Sequence, residues 1–446
     1  MTSEIDPNGN LYPHYFDTSG RVDQTLDPEG GVWDYFNQRA TGGDKLYGYT
    51  TAENNRYQSS LSTLANGDIN KVTTLFDGTQ LMDLNQADDL KQTLQSCAVT
   101  TVIDKVIDIK TKKPIPSKIT VTQPSGLKNV TQLSKTYGQG GADTTQQTLT
   151  VNLNGKISSV FSNALTGITT ATSAENRTTT LNVDPVTSLL QSSQTPGLLD
   201  TTYTYDNRGR QKSITTGART RTYTYDPVSK GEVTFITAVD GTVTEFEYDT
   251  LGRVKAIIYP DTRRTENIYD NNGNLKTLVI PTPANHDFTY NSVNKPKTES
   301  TPKDNVITEV TQYDYDLERN IKQITLPSGK AITNTYVNGL LDFSTTPEGI
   351  INYGFTSNEK VSSITEGSER ISYTYDGNLL KDISYAGGLN AVISQTFNTD
   401  FSIETLAYAG QITNFSYDND LLLTGANGYT IARNALNGLP EIVANG

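Results

Sequence analysis

The chain has 446 residues, a formal net charge of −13 and an apolar fraction of 34%. An acidic balance with no basic cluster argues against nucleic-acid binding and against docking on an anionic membrane surface, because both need a Lys/Arg footprint. The single cysteine, Cys97, excludes an internal disulfide framework, and no run is long and apolar enough to make a membrane-spanning helix.

In chain order, the N-terminus opens on the turn Asp6-Pro7-Asn8-Gly9-Asn10. A predicted strand over 11–17 follows, then the turn Thr18-Ser19-Gly20-Arg21, a strand over 22–26, the turn Asp27-Pro28-Glu29-Gly30-Gly31, and a strand over 32–37. Asp or Asn with Gly between alternating strands is the strongest local hairpin signal. Met1–Asp6 lacks the basic and apolar regions of a signal peptide. Residues 58–200 are more degenerate. Residues 86–96 (QADDLKQTLQS) predict a short helix with Asp88 and Asp89 near its start. Val151-Asn152-Leu153-Asn154-Gly155 and Val183-Asp184-Pro185-Val186-Thr187 repeat the strand-turn phrase faintly. A small β domain inserted near 98–180 is the alternative reading of this region.

From Thr201 onward the phrase is plain: two aromatics one residue apart, then Asp, then a turn. It is carried by Tyr203, Tyr205, Asp206, Gly209 and Arg210; by Tyr223, Tyr225 and Asp226; by Phe246, Tyr248, Asp249, Gly252 and Arg253; by Tyr269, Asp270 and Gly273; by Tyr373, Tyr375 and Asp376; and by Tyr417 and Asp418. Val337, Thr356 and Asn398 stand at the Asp position of other copies. A fixed period of roughly twenty residues marks a repeat architecture. The segments are 1–57 and 201–446, with clear hairpins, and 58–200, degenerate. Both ends cut through a repeat, which predicts part of a longer polypeptide, since repeat arrays carry atypical caps.

The composition supports strands, with 25 Tyr and 12 Phe against 35 Gly. Alternation puts Tyr203 and Tyr205 on one face, and side-by-side hairpins predict lateral aromatic rows. The Asp closes an Asx-turn, and Gly209, Gly252 and Gly273 supply positive φ. The fold class is thus all-β: an array of antiparallel hairpins in one large sheet. Twenty repeats at about 4.8 Å per strand are too wide to stay flat, so the sheet must spiral around a space or stack as a solenoid.

Chemistry is sparse. The two histidines, His14 and His286, form no constellation with the lone cysteine, and neither a nucleophile elbow nor a phosphate-binding loop is present. The 6–10 and 270–274 turns carry oxygen ligands for calcium but lack the closing Glu of an EF-hand loop. No catalytic, cofactor or metal residue is assigned.

YTYDNRGR (203–210), FEYDTLGRVKAIIYPD (246–261) and YFDTSGRVDQTLDPEG (15–30) resemble the YD repeat, also called the RHS repeat, of bacterial Rhs toxins, insecticidal toxin-complex components and teneurins. The match is specific from 201 to about 420 and from about 6 to 37, and weak between. The resemblance implies a hollow β shell that encloses or carries a C-terminal toxin polypeptide. The partners it implies are other segments of a larger polypeptide, or a shell partner chain, and the toxin cargo. It also implies a secreted or cell-surface location, reached by a route not visible in the chain. The self-cleaving aspartyl-protease plug of toxin members is not found. A cell-surface module binding glycan or protein is the alternative, followed by a carbohydrate-active enzyme on a β-solenoid.

Overall fold

The computed structural model describes residues 2–39, 43–96, 98–227, 231–281, 285–303 and 307–445. Among these the chain is all-β, with forty-one strands and one 3₁₀ turn at Gln139–Gly141. Strands pair antiparallel with their neighbours in sequence. Leu11–Phe16 pairs with Val22–Leu26, which pairs with Val32–Arg39. The same order holds through 98–180, from Val99–Ile107 to Thr178–Val183. Short hairpins need no crossover, so each strand meets its partner through a local turn.

The contacts gather into two compact units. One comprises Met1–Ser62, Lys71–Gln80 and Tyr223–Ser368, and the other Thr63–Asn70, Leu81–Thr222 and Glu369–Gly446. Each therefore joins an early stretch of chain to a late one. Val99, Tyr137, Ala256 and Val293 are the buried apolar side chains among the described residues. So small a core follows from the composition: Thr, Ser and Asn occupy positions where a sandwich would place aliphatics.

Two expectations change. Residues 91–96 form a strand, paired on both sides with Gln80–Asn85 and Val99–Ile107, and not a helix. The reason is local: the Asp88 carboxylate accepts the Leu90 N–H, Asp89 turns left-handed at φ 57°, and the Gln86 N–H closes the turn on Lys91 O. This Asx geometry competes directly with helix initiation. The aromatic rows also differ. Return strands alternate with motif strands, so the first motif aromatic faces an Ile: Tyr203 opposite Ile214, Phe246 opposite Ile257, Tyr373 opposite Ile383. Aromatic–β-branched pairs of this kind are favourable by about 0.2–1 kcal/mol each. Ring-to-ring rows occur where register sets tyrosines opposite one another. Tyr49 lies opposite both Tyr35 and Tyr57, with centroids 6.2 and 5.3 Å away.

The motif strands share a bulge that the sequence pattern does not announce. Register shifts between Thr204 and Tyr205, Glu247 and Tyr248, Ile268 and Tyr269, Thr374 and Tyr375, and Ser416 and Tyr417. In each, two residues of the return strand face one of the motif strand. Bulges bend the strand and raise its twist at the point where pairing ends.

Candidate functional site: turns that lock hairpin layers

The Asp206 turn shows the local chemistry. The Gly209 N–H donates to Asp206 O at 3.0 Å, and the Asp206 N–H to Arg210 O at 2.9 Å. The carboxylate accepts the Arg208 and Arg210 N–H groups, both at 2.9 Å, and Arg210 Nε at 2.7 Å. Asp249 repeats this with Leu251 and Arg253, and Asp17 with Ser19 and Arg21 through its Oδ1. Gly209, Gly252 and Gly273 sit at φ 77°, 79° and 88°. Desolvation raises the Asp206 and Asp249 carboxyls, but the backbone and side-chain hydrogen bonds of Arg210 and Arg253 outweigh it and hold both below the usual range. At Asp17 the Arg21 backbone hydrogen bond is the main cause of a lowered pKa.

The second motif aromatic couples one repeat to the one before. Tyr205, Tyr248, Tyr269 and Tyr417 donate their hydroxyls to the carbonyls of Leu190, Val233, Val254 and Ile403, at 2.8–2.9 Å. Each acceptor lies 14 or 15 residues back, on or beside the preceding return strand. Desolvation raises the phenols of Tyr248 and Tyr417, which keeps them protonated as donors. Arg253 also stacks on the Tyr269 ring, 4.3 Å from its centroid, so turn and aromatic of adjacent repeats are joined twice.

Other motif positions depart from this scheme. Tyr223 and Tyr225 lie in Arg219–Tyr225, and the Asp226 N–H closes on Glu232 O at 3.2 Å, a longer turn. Tyr373 and Tyr375 lie in Glu369–Asp376, where Asp376 pairs directly with Leu379 across a two-residue turn. Val337 likewise ends its strand at the two-residue turn Asn338-Gly339. The Asp376 carboxylate, freed from its own turn, accepts the N–H and hydroxyl of Ser125.

That last contact belongs to a seam in each unit, where hairpin tips of the early stretch dock on motif turns of the late stretch. In the first unit, two turns cap each other: Asn8 Nδ2 donates to Asp270 Oδ2 at 3.1 Å, and Asn272 Nδ2 donates to Asp6 Oδ2 at 2.7 Å. The Ser292 N–H and hydroxyl donate to Glu29 Oε1. The Leu317 N–H donates to Glu53 Oε1 at 3.2 Å, while Glu318 accepts Thr51 Oγ1 and Asn55 Nδ2. Arg319 reaches the buried Asp27 carboxylate at 3.1 Å and lies over the lone tryptophan, Trp33, at 5.1 Å. In the second unit, Asp400 accepts Asn154 Nδ2 at 2.7 Å and pairs with Lys156. Asp420 accepts Ser173 Oγ at 2.7 Å, the Glu175 N–H at 2.9 Å and Arg177 Nη1 at 2.5 Å. Arg177 also lies 2.8 Å from Asp418, and the Asn419 N–H donates to Glu175.

A rule emerges: the third residue of a five-residue turn points across the seam. Asn8, Glu29, Glu53 and Glu175 do so from the early stretch, and Asn272, Glu318, Asp400 and Asp420 from the late one. Desolvation raises the Asp420 carboxyl, but hydrogen bonds from Ser173, Glu175 and Arg177 outweigh it and leave it below the usual range. Sequence reasoning singled out the turns and missed these residues. Only the recurring Pro-Glu-Gly and Ala-Glu-Asn tips signalled them. The oxygens of the 6–10 and 270–274 turns are taken up by amide donors. No grouping of three or more metal-ligating side chains occurs among the described residues.

Hairpins locked edge to edge in layers define a repeat wall. The chain belongs to the teneurin YD-shell family, whose model matches residues 1–439. Among solved structures it is similar to TcdB2–TccC3 without its hypervariable C-terminal region. The two are 12% identical with a TM-score of 0.50, covering 96% of this chain and 28% of that one. It is also similar to the TcdB2–TccC3–Cdc42 structure, at 11% identity and a TM-score of 0.40, covering 96% of this chain and 25% of that one. The chain thus spans about a quarter of the length of these chains. No curated protein matches.

Proposed function

We propose that this chain is a wall segment of a bacterial, secreted or surface-exposed shell that encloses a toxic polypeptide. The observation that carries this reading is the seam. Paired turns bind layer to layer through hydrogen bonds and ion pairs, while very few apolar side chains are buried among the described residues. Such a construction suits a thin wall around a space better than a solid enzyme core, which would bury aliphatic residues. The motif residues, from Tyr203 to Asp418, then serve the wall: Asp and Gly shape the turns, and Tyr and Arg join the repeats. Membership of the YD-shell family, a structural shell, agrees with a role other than catalysis. The partners are further shell segments and the cargo.

The test is protection of cargo. An unfolded reporter polypeptide is encoded after the chain, within the longest natural polypeptide that contains it, and exposed to protease. Enclosure predicts an intact reporter until the shell is opened by denaturant. A reporter digested at the rate of the free peptide, with the shell still folded, would overturn the reading.

A further inference from the structure

Two neighbouring hairpins of the second unit separate in mid-length, in the stretch where the repeat phrase is faintest. Val99–Ile107 and Pro114–Thr122 form one, and Lys128–Gly138 and Asp143–Leu153 form the next. Backbone pairing between them runs from Thr122 opposite Lys128 to Lys118 opposite Gln132, and stops there. The break coincides with a bulge in the first hairpin. Register shifts between Asp104 and Lys105, Ser117 has no opposite residue, and its hydroxyl donates to Asp104 O at 3.1 Å. A bulge bends its strand and sharpens the twist, which carries the first hairpin away from the second. Near their tips the two meet again. The Tyr137 hydroxyl donates to Asp108 Oδ2 at 2.8 Å, and Lys110 Nζ donates to Thr144 O at 3.1 Å. Ile109 lies against Gly141, its Cδ1 2.9 Å from where a Cβ would stand.

Between these two junctions lies a cavity of about 520 Å³. The gap from Leu133 to Tyr137 is about 13 Å long at about 3.3 Å per residue, and it is closed at both ends, so it does not admit a through-running polypeptide strand. Its walls are mainly apolar, from Val106, Ile109, Ile115, Pro116, Leu133 and Leu149. Val106, Ile107 and Ile109 are 49–54% exposed, so the cavity is reached from solvent past apolar side chains. An apolar cavity of this size with a few convergent polar groups is the usual form of a small-molecule site. The polar end is cationic. Lys135, directly opposite Leu149, has Nζ 3.6 Å from Asp108 Oδ2 and 5.1 Å from the centre of the Tyr137 ring. Asp108 is 4% exposed and already accepts the Lys110 and Thr111 N–H groups and the Tyr137 hydroxyl, at 2.6–2.9 Å. An ammonium carries three donors, so Lys135 retains capacity for a second anion. Lys112 and Lys113, on the tip beside it, are exposed and form no ion pair among the described residues. A positive end in so acidic a chain selects for a negative ligand.

We infer that the cavity between these hairpins binds a small anionic amphiphile. Its apolar chain lies along Ile115, Leu133 and Leu149, and its head group, a carboxylate, sulfate or phosphate, takes the Lys135 ammonium. The assignment rests on the geometry of residues 99–153 and holds whatever the shell encloses.

The test is isothermal titration calorimetry of the full chain with decanoate, below its micelle concentration, which should show one saturable site. Leu149→Glu sets a carboxylate in the cavity and should weaken binding about tenfold or more, while Ile412→Glu, in the same unit and outside the cavity, should not. The two positions are 40% and 56% exposed, so both variants fold, which circular dichroism verifies. Lys135→Gln should weaken decanoate about tenfold, the ratio that one charge-assisted contact supports, and leave the neutral decanol unchanged. Flotation with phosphatidylglycerol vesicles separates the two sources of such a ligand. A chain that binds decanoate and stays off the vesicles takes a free amphiphile, and one that floats with them until Leu149→Glu is introduced takes a membrane lipid. Absence of a saturable site, equal binding by the Leu149→Glu and Ile412→Glu variants, or decanoate binding indifferent to Lys135→Gln would overturn the proposal.

Discussion

Replacing Asp420 with alanine tests the seam at its most connected point. The carboxylate accepts Ser173 Oγ, the Glu175 N–H and Arg177 Nη1, and its side chain is only 12% exposed. Three hydrogen bonds to one acceptor, at about 1 kcal/mol net each, give about 3 kcal/mol. Stranding a buried partner costs about 3–5 kcal/mol, and here the low end applies, because Arg177 keeps Asp418 at 2.8 Å. The loss falls on docking of the 173–177 tip and not on the strands behind it. Hydrogen–deuterium exchange read by mass spectrometry should show the amides of 173–177 and 418–422 exchanging about 100-fold faster, since about 1.4 kcal/mol is tenfold. The Asp206–Arg210 turn, in the same unit and closed by its own residues, should not change. Asp420→Asn should fall between, retaining an acceptor for the Glu175 N–H. Unchanged exchange at 173–177, or uniform acceleration of all turns, would refute a seam built from third-position residues.

Four further outcomes follow from the turn chemistry. Tyr269→Phe removes the hydrogen bond to Val254 O but leaves the ring under Arg253, and should destabilise by about 1 kcal/mol in urea melts. Gly20→Ala places a side chain at φ 78° with nothing within 4 Å, so its cost is backbone strain alone, about 1–2 kcal/mol by thermal melting. The carboxyls of Asp17, Asp206, Asp249 and Asp420 lie below 3.8 when folded, so the stability they confer is complete above that value and lost as pH falls through the folded values. The melting temperature should therefore hold from neutral pH to about pH 5 and drop below about pH 4, with Asp206→Asn and Asp249→Asn flattening the drop. Finally, chelator should leave the melting temperature unchanged, because amide donors occupy the oxygens of the 6–10 and 270–274 turns.

Turns were more legible in the sequence than what they touch. Asp206, Gly209 and Arg210 announce a turn because every group involved lies within five residues. The seam joins residues such as Asn8 and Asp270, 262 apart, and no local pattern sets that register. The bulge at Tyr205 was hidden for a related reason, since the extra residue lies on the return strand, whose sequence carries no fixed mark. At 86–96, two carboxylates that read as a helix start instead shape an Asx turn, and pairing on both sides decides the strand. The aromatic rows expected across the sheet give way to aromatic–Ile pairs at the motif strands, because return strands with Ile intervene.

The most direct test of the shell account is small-angle X-ray scattering on the purified chain. A wall segment predicts a pair-distance distribution weighted to long distances, with the scattering minimum of a body bounding a space. A distribution fitting a dense globule of 48.7 kDa would contradict it.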